Sequence, residues 1–61
     1  MKTYHITVYT KKGEKLLDDT FEAEDHQQAK VIGMAKLREK NYTGHTYRVV
    51  SPLGQLVLFN S

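Results

Sequence analysis

Two stretches of alternating residues each run into a short turn closed by glycine. Thr3 to Thr10 places Tyr4, Ile6 and Val8 on one face and His5, Thr7 and Tyr9 on the other. β-Branched and aromatic residues dominate, as a half-buried strand requires. Thr10-Lys11-Lys12-Gly13 then reads as a turn, with Gly13 free to adopt positive φ. His45 to Ser51 alternates again, with Tyr47 and Val49 opposite Thr46, Arg48 and Val50, and Ser51-Pro52-Leu53-Gly54 is a second turn. Hydroxyl, two residues, Gly, then Glu or Gln recurs at an offset of 41 residues, and Leu17 and Leu58 fall in step. A three-residue hairpin loop often needs Gly at its left-handed position, so turn chemistry accounts for the recurrence. It predicts two hairpins of similar geometry.

The return strands are Lys15 to Ala23 and Gln55 to Phe59. In the first, Leu17, Phe21 and Ala23 share a face, Asp19 interrupts it, and Leu16, Asp18, Thr20 and Glu22 face the other way. Asp18-Asp19 is poor strand material and predicts a bulge or an exposed edge. In the second, Leu56 and Leu58 oppose Val57 and Phe59.

Between the hairpins, Asp25 with Gln28 three residues on forms a capping-box-like start, and the helix is expected to run to about Lys40. Lys36, Arg38 and Lys40 suit its C-terminus. Asn41 or Gly44 can supply the left-handed stop. Ala29, Ile32, Gly33 and Leu37 line one face, widened by Val31 and Ala35; Ala29 and Gly33 permit close approach to a sheet.

The order is therefore ββαββ. The expected fold is α+β, a four-stranded antiparallel sheet with one helix packed on one face, residues 1–61 forming a single domain. A right-handed crossover favours strand order 2-1-3-4, with 2-1-4-3 left open. The expected core is Tyr4, Ile6, Val8, Leu17, Phe21, Ala29, Ile32, Leu37, Tyr47, Val49, Leu56 and Leu58.

The opposite face is then expected to show His5, Tyr9, Leu16, Arg48, Val50, Val57 and Phe59. Three explanations compete for its apolar content. Self-association would hide it and help so small a chain, which buries only about 60% of its unfolded surface. Single-stranded nucleic acid could stack on Tyr9 and Phe59 with Arg48 on a phosphate. Scattered surface apolar residues, or a register off by one, would need no partner at all. The candidate surface is Tyr9, Arg48, Val57 and Phe59.

Charge disfavours nucleic acid. The net charge is +2, and no basic cluster exceeds Lys11-Lys12. Residues 1–25 hold four Lys and six acids, and residues 26–61 hold five basic residues and one acid, so an acidic partner would meet the second half. Catalysis and metal binding find no motif. His5, His26 and His45 share no helical i, i+4 spacing, and Glu14, Asp18, Asp19, Glu22, Glu24 and Asp25 lack the calcium-loop pattern. Ser51 has no His or acid beside it, and the glycines at 13, 33, 44 and 54 form no phosphate cradle. Neither an enzyme nor a cofactor is expected. There is no Cys for a disulfide or thiolate site, and no apolar run of membrane-span length. Met1-Lys2-Thr3-Tyr4 leads into a strand without an apolar signal segment, so a cytoplasmic protein is expected and the sequon Asn41-Tyr42-Thr43 is read as chance.

Phe21-Glu22-Ala23-Glu24-Asp25, Gln28-Ala29-Lys30-Val31-Ile32-Gly33-Met34 and Ser51-Pro52-Leu53-Gly54-Gln55-Leu56-Val57-Leu58-Phe59 together resemble the YhzD-like family of small Bacillus-type proteins. The resemblance spans nearly the whole chain. It implies a cytoplasmic bacterial origin and brings no functional residues.

Overall fold

β1 (Lys2–Tyr9) pairs antiparallel with β2 (Lys15–Ala23), α1 (His26–Glu39) follows, and β3 (Thr46–Val50) pairs antiparallel with β4 (Leu56–Asn60). The structure, a computed structural model, describes residues 1–60. The strand order is β2-β1-β3-β4, the favoured of the two expected orders. β2 and β4 are the edges, so the Asp18-Asp19 pair lies on an exposed edge strand.

Each hairpin turns on the same hydrogen bonds. Thr10 N–H donates to Glu14 O at 2.8 Å and Gly13 N–H to Thr10 O at 2.9 Å; Ser51 N–H donates to Gln55 O at 2.8 Å and Gly54 N–H to Ser51 O at 2.9 Å. The hydroxyls of Thr10 and Ser51 accept from Glu14 N–H and Gln55 N–H. Gly13 and Gly54 hold φ of 89° and 86°, the left-handed position of a three-residue loop.

The likeness extends well past the loops. Adding 41 to both members turns Ile6↔Asp19, Thr7↔Asp18, Val8↔Leu17 and Tyr9↔Lys15 into Tyr47↔Asn60, Arg48↔Phe59, Val49↔Leu58 and Val50↔Leu56, all of them observed pairs. The seam between hairpins obeys the same rule. His5↔Val50 maps onto Tyr9↔Thr46, Ile6↔Val49 onto Val8↔Tyr47, and Thr7↔Arg48 onto itself. The sheet thus has an internal two-fold relationship centred on Thr7 and Arg48, with the helix as the connection between halves.

Both hairpins also carry a bulge at the same place. Leu16 has no partner between Tyr9↔Lys15 and Val8↔Leu17, and Val57 has none between Val50↔Leu56 and Val49↔Leu58. In such a bulge two successive residues oppose one, and both lean to its side. Leu16 and Leu17 therefore join Val8, and Val57 and Leu58 join Val49, on the helix side. Of the two alternatives expected at Asp18-Asp19, a bulge or an exposed edge, the exposed edge is the one found; the bulge lies at Leu16.

These bulges correct three expectations. Leu16 packs against the core rather than facing out, and Val57, expected on the outer face, is buried at 8% exposure. Leu56, expected in the core, is 56% exposed, because the inserted residue returns it to the outer face opposite Val50. The rest of the core is as expected. Tyr4, Ile6, Val8, Phe21, Ala29, Leu37 and Val49 are buried, and Leu17, Ile32, Tyr47 and Leu58 pack against them. Ala23 is buried too.

Asp25 caps the helix, its Oδ1 accepting from Gln28 N–H at 2.8 Å, while Gln28 Oε1 reaches back to Glu24 N–H at 2.6 Å. Asn41, at φ 60°, provides the stop: Tyr42 N–H donates to Leu37 O and Asn41 N–H to Arg38 O, and Tyr42 folds against the core. Only Ala29, Gly33 and Leu37 are buried along α1, so the apolar stripe is narrower than expected, with Val31 and Ala35 exposed. Gly33 sets the approach. A Cβ there would stand 3.2 Å from Val49 Cγ2 and 3.3 Å from Leu58 Cδ1.

Candidate interaction face

The helix covers one side of the sheet, and the register fixes what the other side shows. Two cross-strand rows run from β2 to β4, and a third runs from β2 to β3. The first is Thr20, His5, Val50, Leu56; the second is Asp18, Thr7, Arg48, Phe59; the third is Lys15, Tyr9, Thr46. The face is divided chemically. Its β1–β2 half is polar and charged. Its β3–β4 half is apolar apart from Arg48 and Thr46.

In the polar half, Asp18 gathers two hydrogen-bond donors. His5 Nε2 donates to Asp18 Oδ1, and Lys15 Nζ donates to Asp18 Oδ2 at 2.9 Å. The His5 bond, then the Lys15 bond, hold the Asp18 carboxyl below its ordinary 3.8. Reciprocally, Asp18 holds the Lys15 ammonium above its ordinary 10.5. All three side chains are about half exposed on a flat face, so the cluster is a solvated surface network.

In the apolar half, Leu56 is 56% and Phe59 52% exposed. The Arg48 guanidinium carbon lies 5.9 Å from the centre of the Phe59 ring, within cation–π range. Arg48 makes no ion pair among the described residues. Arg48, Val50, Gly54, Leu56 and Phe59 line an open hollow of about 310 Å³.

Of the four candidate residues, the structure brings Arg48 and Phe59 together and places Tyr9 on the same face. By strand spacing Tyr9 lies about 12 Å from Phe59, two strands over and two residues along. Val57 is not on this face, and Leu56 takes its place. The signal for the exchange is in the sequence. Gly13-Glu14-Lys15-Leu16-Leu17 and Gly54-Gln55-Leu56-Val57-Leu58 each carry two successive apolar residues at the same distance from the loop, which strict alternation cannot bury but a bulge can.

Among the described residues, no three His, Asp or Glu side chains are grouped as metal ligands. A second hollow, beside the helix start, is lined by Lys2, His26, Ser51, Pro52, Leu53 and Gln55. Among the described residues, no helix is long and apolar enough to cross a membrane.

The YhzD-like protein family model matches residues 1–61. This chain belongs to the YhzD-like family. It is 42% identical over 60 residues to the Bacillus subtilis (strain 168) protein described as "Uncharacterized protein YhzD", covering 98% of each chain. No solved structure matches it. Within this YhzD-like chain the internal two-fold supplies its own comparison. The first hairpin shows which residues the hairpin geometry tolerates, and the second shows where the chemistry departs from them.

Proposed function

We propose that this chain is a small, non-catalytic, cytoplasmic interaction domain that associates with itself through the uncovered sheet face. One observation carries the reading. Lys15 and Asp18 build the first hairpin with the same register and bulge as Leu56 and Phe59 build the second. The hairpin geometry therefore makes no demand for apolar side chains at those positions. Half-exposed Leu and Phe there leave apolar area in water that a partner surface can remove, at about 25 cal/mol per Å².

The size of the patch sets the strength. Two half-exposed side chains, Leu56 and Phe59, are few beside the roughly 20–30 residues a side of a standard stable interface. The expected association is weak and concentration-dependent. Sedimentation equilibrium from micromolar to millimolar chain tests it. A monomer–dimer equilibrium supports the reading, and a monomer at every concentration overturns it.

A second reading takes single-stranded nucleic acid as the occupant, with Tyr9 and Phe59 as stacking surfaces and Arg48 at a phosphate. The common face of these three residues favours it, and the net charge of +2 weighs against it. Phosphate contact requires binding that falls steeply with salt. Absence of binding at low salt removes this reading.

A further inference from the structure

We propose that β4 is the docking edge of this domain, and that its occupant is β4 of a second copy, antiparallel, joining two sheets into one of eight strands. The inference rests on the self-association reading and names the contact that makes it.

The two edge strands are fold-equivalent, and only one is guarded. β2 carries Lys15, Asp18 and Asp19, and Asp19 stands on the helix side, opposite Ile6. Charges on an edge, especially inward-pointing ones, are a standard obstacle to strand addition. The equivalent positions of β4 are Leu56, Phe59 and Asn60. Every charge of the guarded stretch is absent from the same backbone on the opposite side of the sheet. The bulge is common to both strands and does not explain the difference.

The backbone is oriented to receive a partner. The Ser51 N–H to Gln55 O bond fixes the phase of the β3–β4 ladder. Alternation from that bond turns the N–H and C=O of Phe59 away from β3, outward on the edge. The apolar patch also lies at this margin, since Leu56 and Phe59 are on β4 itself. Edge pairing sets the patches of two copies side by side on one continuous face.

A second copy fits better than an acidic peptide. Uncharged β4 meets uncharged β4 without repulsion. Arg48, the cation in the apolar half of this face, sits one strand in and already covers the Phe59 ring. Two Arg48 side chains would be three strand spacings apart, about 14 Å, beyond the roughly 8 Å screening length at physiological salt.

A chain of 61 residues is accessible to chemical synthesis, and the test uses one with an N-methyl group on the Phe59 amide. The change removes the outward N–H and keeps the side chain. The expected result is dimerisation weakened at least tenfold, with an unchanged circular dichroism spectrum and melting temperature. In the unmodified chain, Phe59 amide exchange should slow as concentration rises. Unchanged dimerisation of the methylated chain overturns edge pairing but leaves association through the face intact. An unfolded methylated chain also overturns it, since that N–H must then serve β3. An unmodified chain that stays monomeric overturns both readings.

Discussion

Thr7 and Arg48 stand opposite each other at the middle of the sheet, and each is the other's equivalent under the internal two-fold. From that pair outward the backbone repeats its register while the side chains diverge. On the β2 side of Thr7 stands Asp18, tied to His5 and Lys15. On the β4 side of Arg48 stands Phe59, half exposed beneath the guanidinium. One backbone plan thus carries a polar outer surface in one half and an apolar one in the other.

Val57 and Leu56 should respond oppositely to the same substitution. Val57→Lys places an ammonium at a buried core position and should cost about 3 kcal/mol or more, enough to unfold much of so small a domain. Leu56→Lys restores the residue found at the equivalent position, Lys15, and should change stability by no more than about 1 kcal/mol. Urea unfolding of both variants decides the matter. Equal losses would contradict the placement of the bulge.

Much of this fold was legible in the sequence. Alternation in Thr3–Thr10 and His45–Ser51, glycines after two-residue spacers and the Asp25–Gln28 cap placed every element within about two residues. On the sheet, the departures are confined to the strands that follow a loop. Period-2 counting presumes an uninterrupted ladder, and one unpaired residue reverses the facing of everything on its loop side. That inversion moved Leu56 outward and Val57 inward, and it changed one of the four candidate surface residues. Tyr9, Arg48 and Phe59 lie beyond the reach of either bulge and kept their faces. The Asp18 network was not legible, since it joins β1 and β2 on a diagonal that only the register defines.

Gly33 should resist enlargement. Its own Cβ would already press on Val49 and Leu58, and the two further carbons of Gly33→Val must lift the helix from the sheet. Overpacking of this kind costs about 1–3 kcal/mol, against less than about 1 kcal/mol recovered from helix propensity. A net loss of about 1–2 kcal/mol in chemical denaturation is expected. A stabilised variant would contradict the close helix–sheet contact.

Asp18 should shape the acid limb of stability. Its carboxyl is held below the ordinary 3.8, so the folded chain keeps it ionised where the unfolded chain begins to bind a proton. Its contribution is complete above the ordinary value and is lost as pH falls through the lowered one. The difference in melting temperature between wild type and Asp18→Asn should therefore hold steady between about pH 7 and 5 and shrink toward pH 2. A difference as large at pH 2 as at pH 7 would contradict the assignment.

The most direct test of the outer-face account transplants one half onto the other. Leu56→Lys with Phe59→Asp installs, on β4, the residues that β2 carries at Lys15 and Asp18. Sedimentation equilibrium and thermal unfolding are measured on the same samples. A folded chain within about 2 kcal/mol of wild type, with dimerisation weakened at least tenfold, is the predicted result. An unfolded chain would mean that the apolar pair serves the fold, and undiminished dimerisation would mean that the contact lies elsewhere.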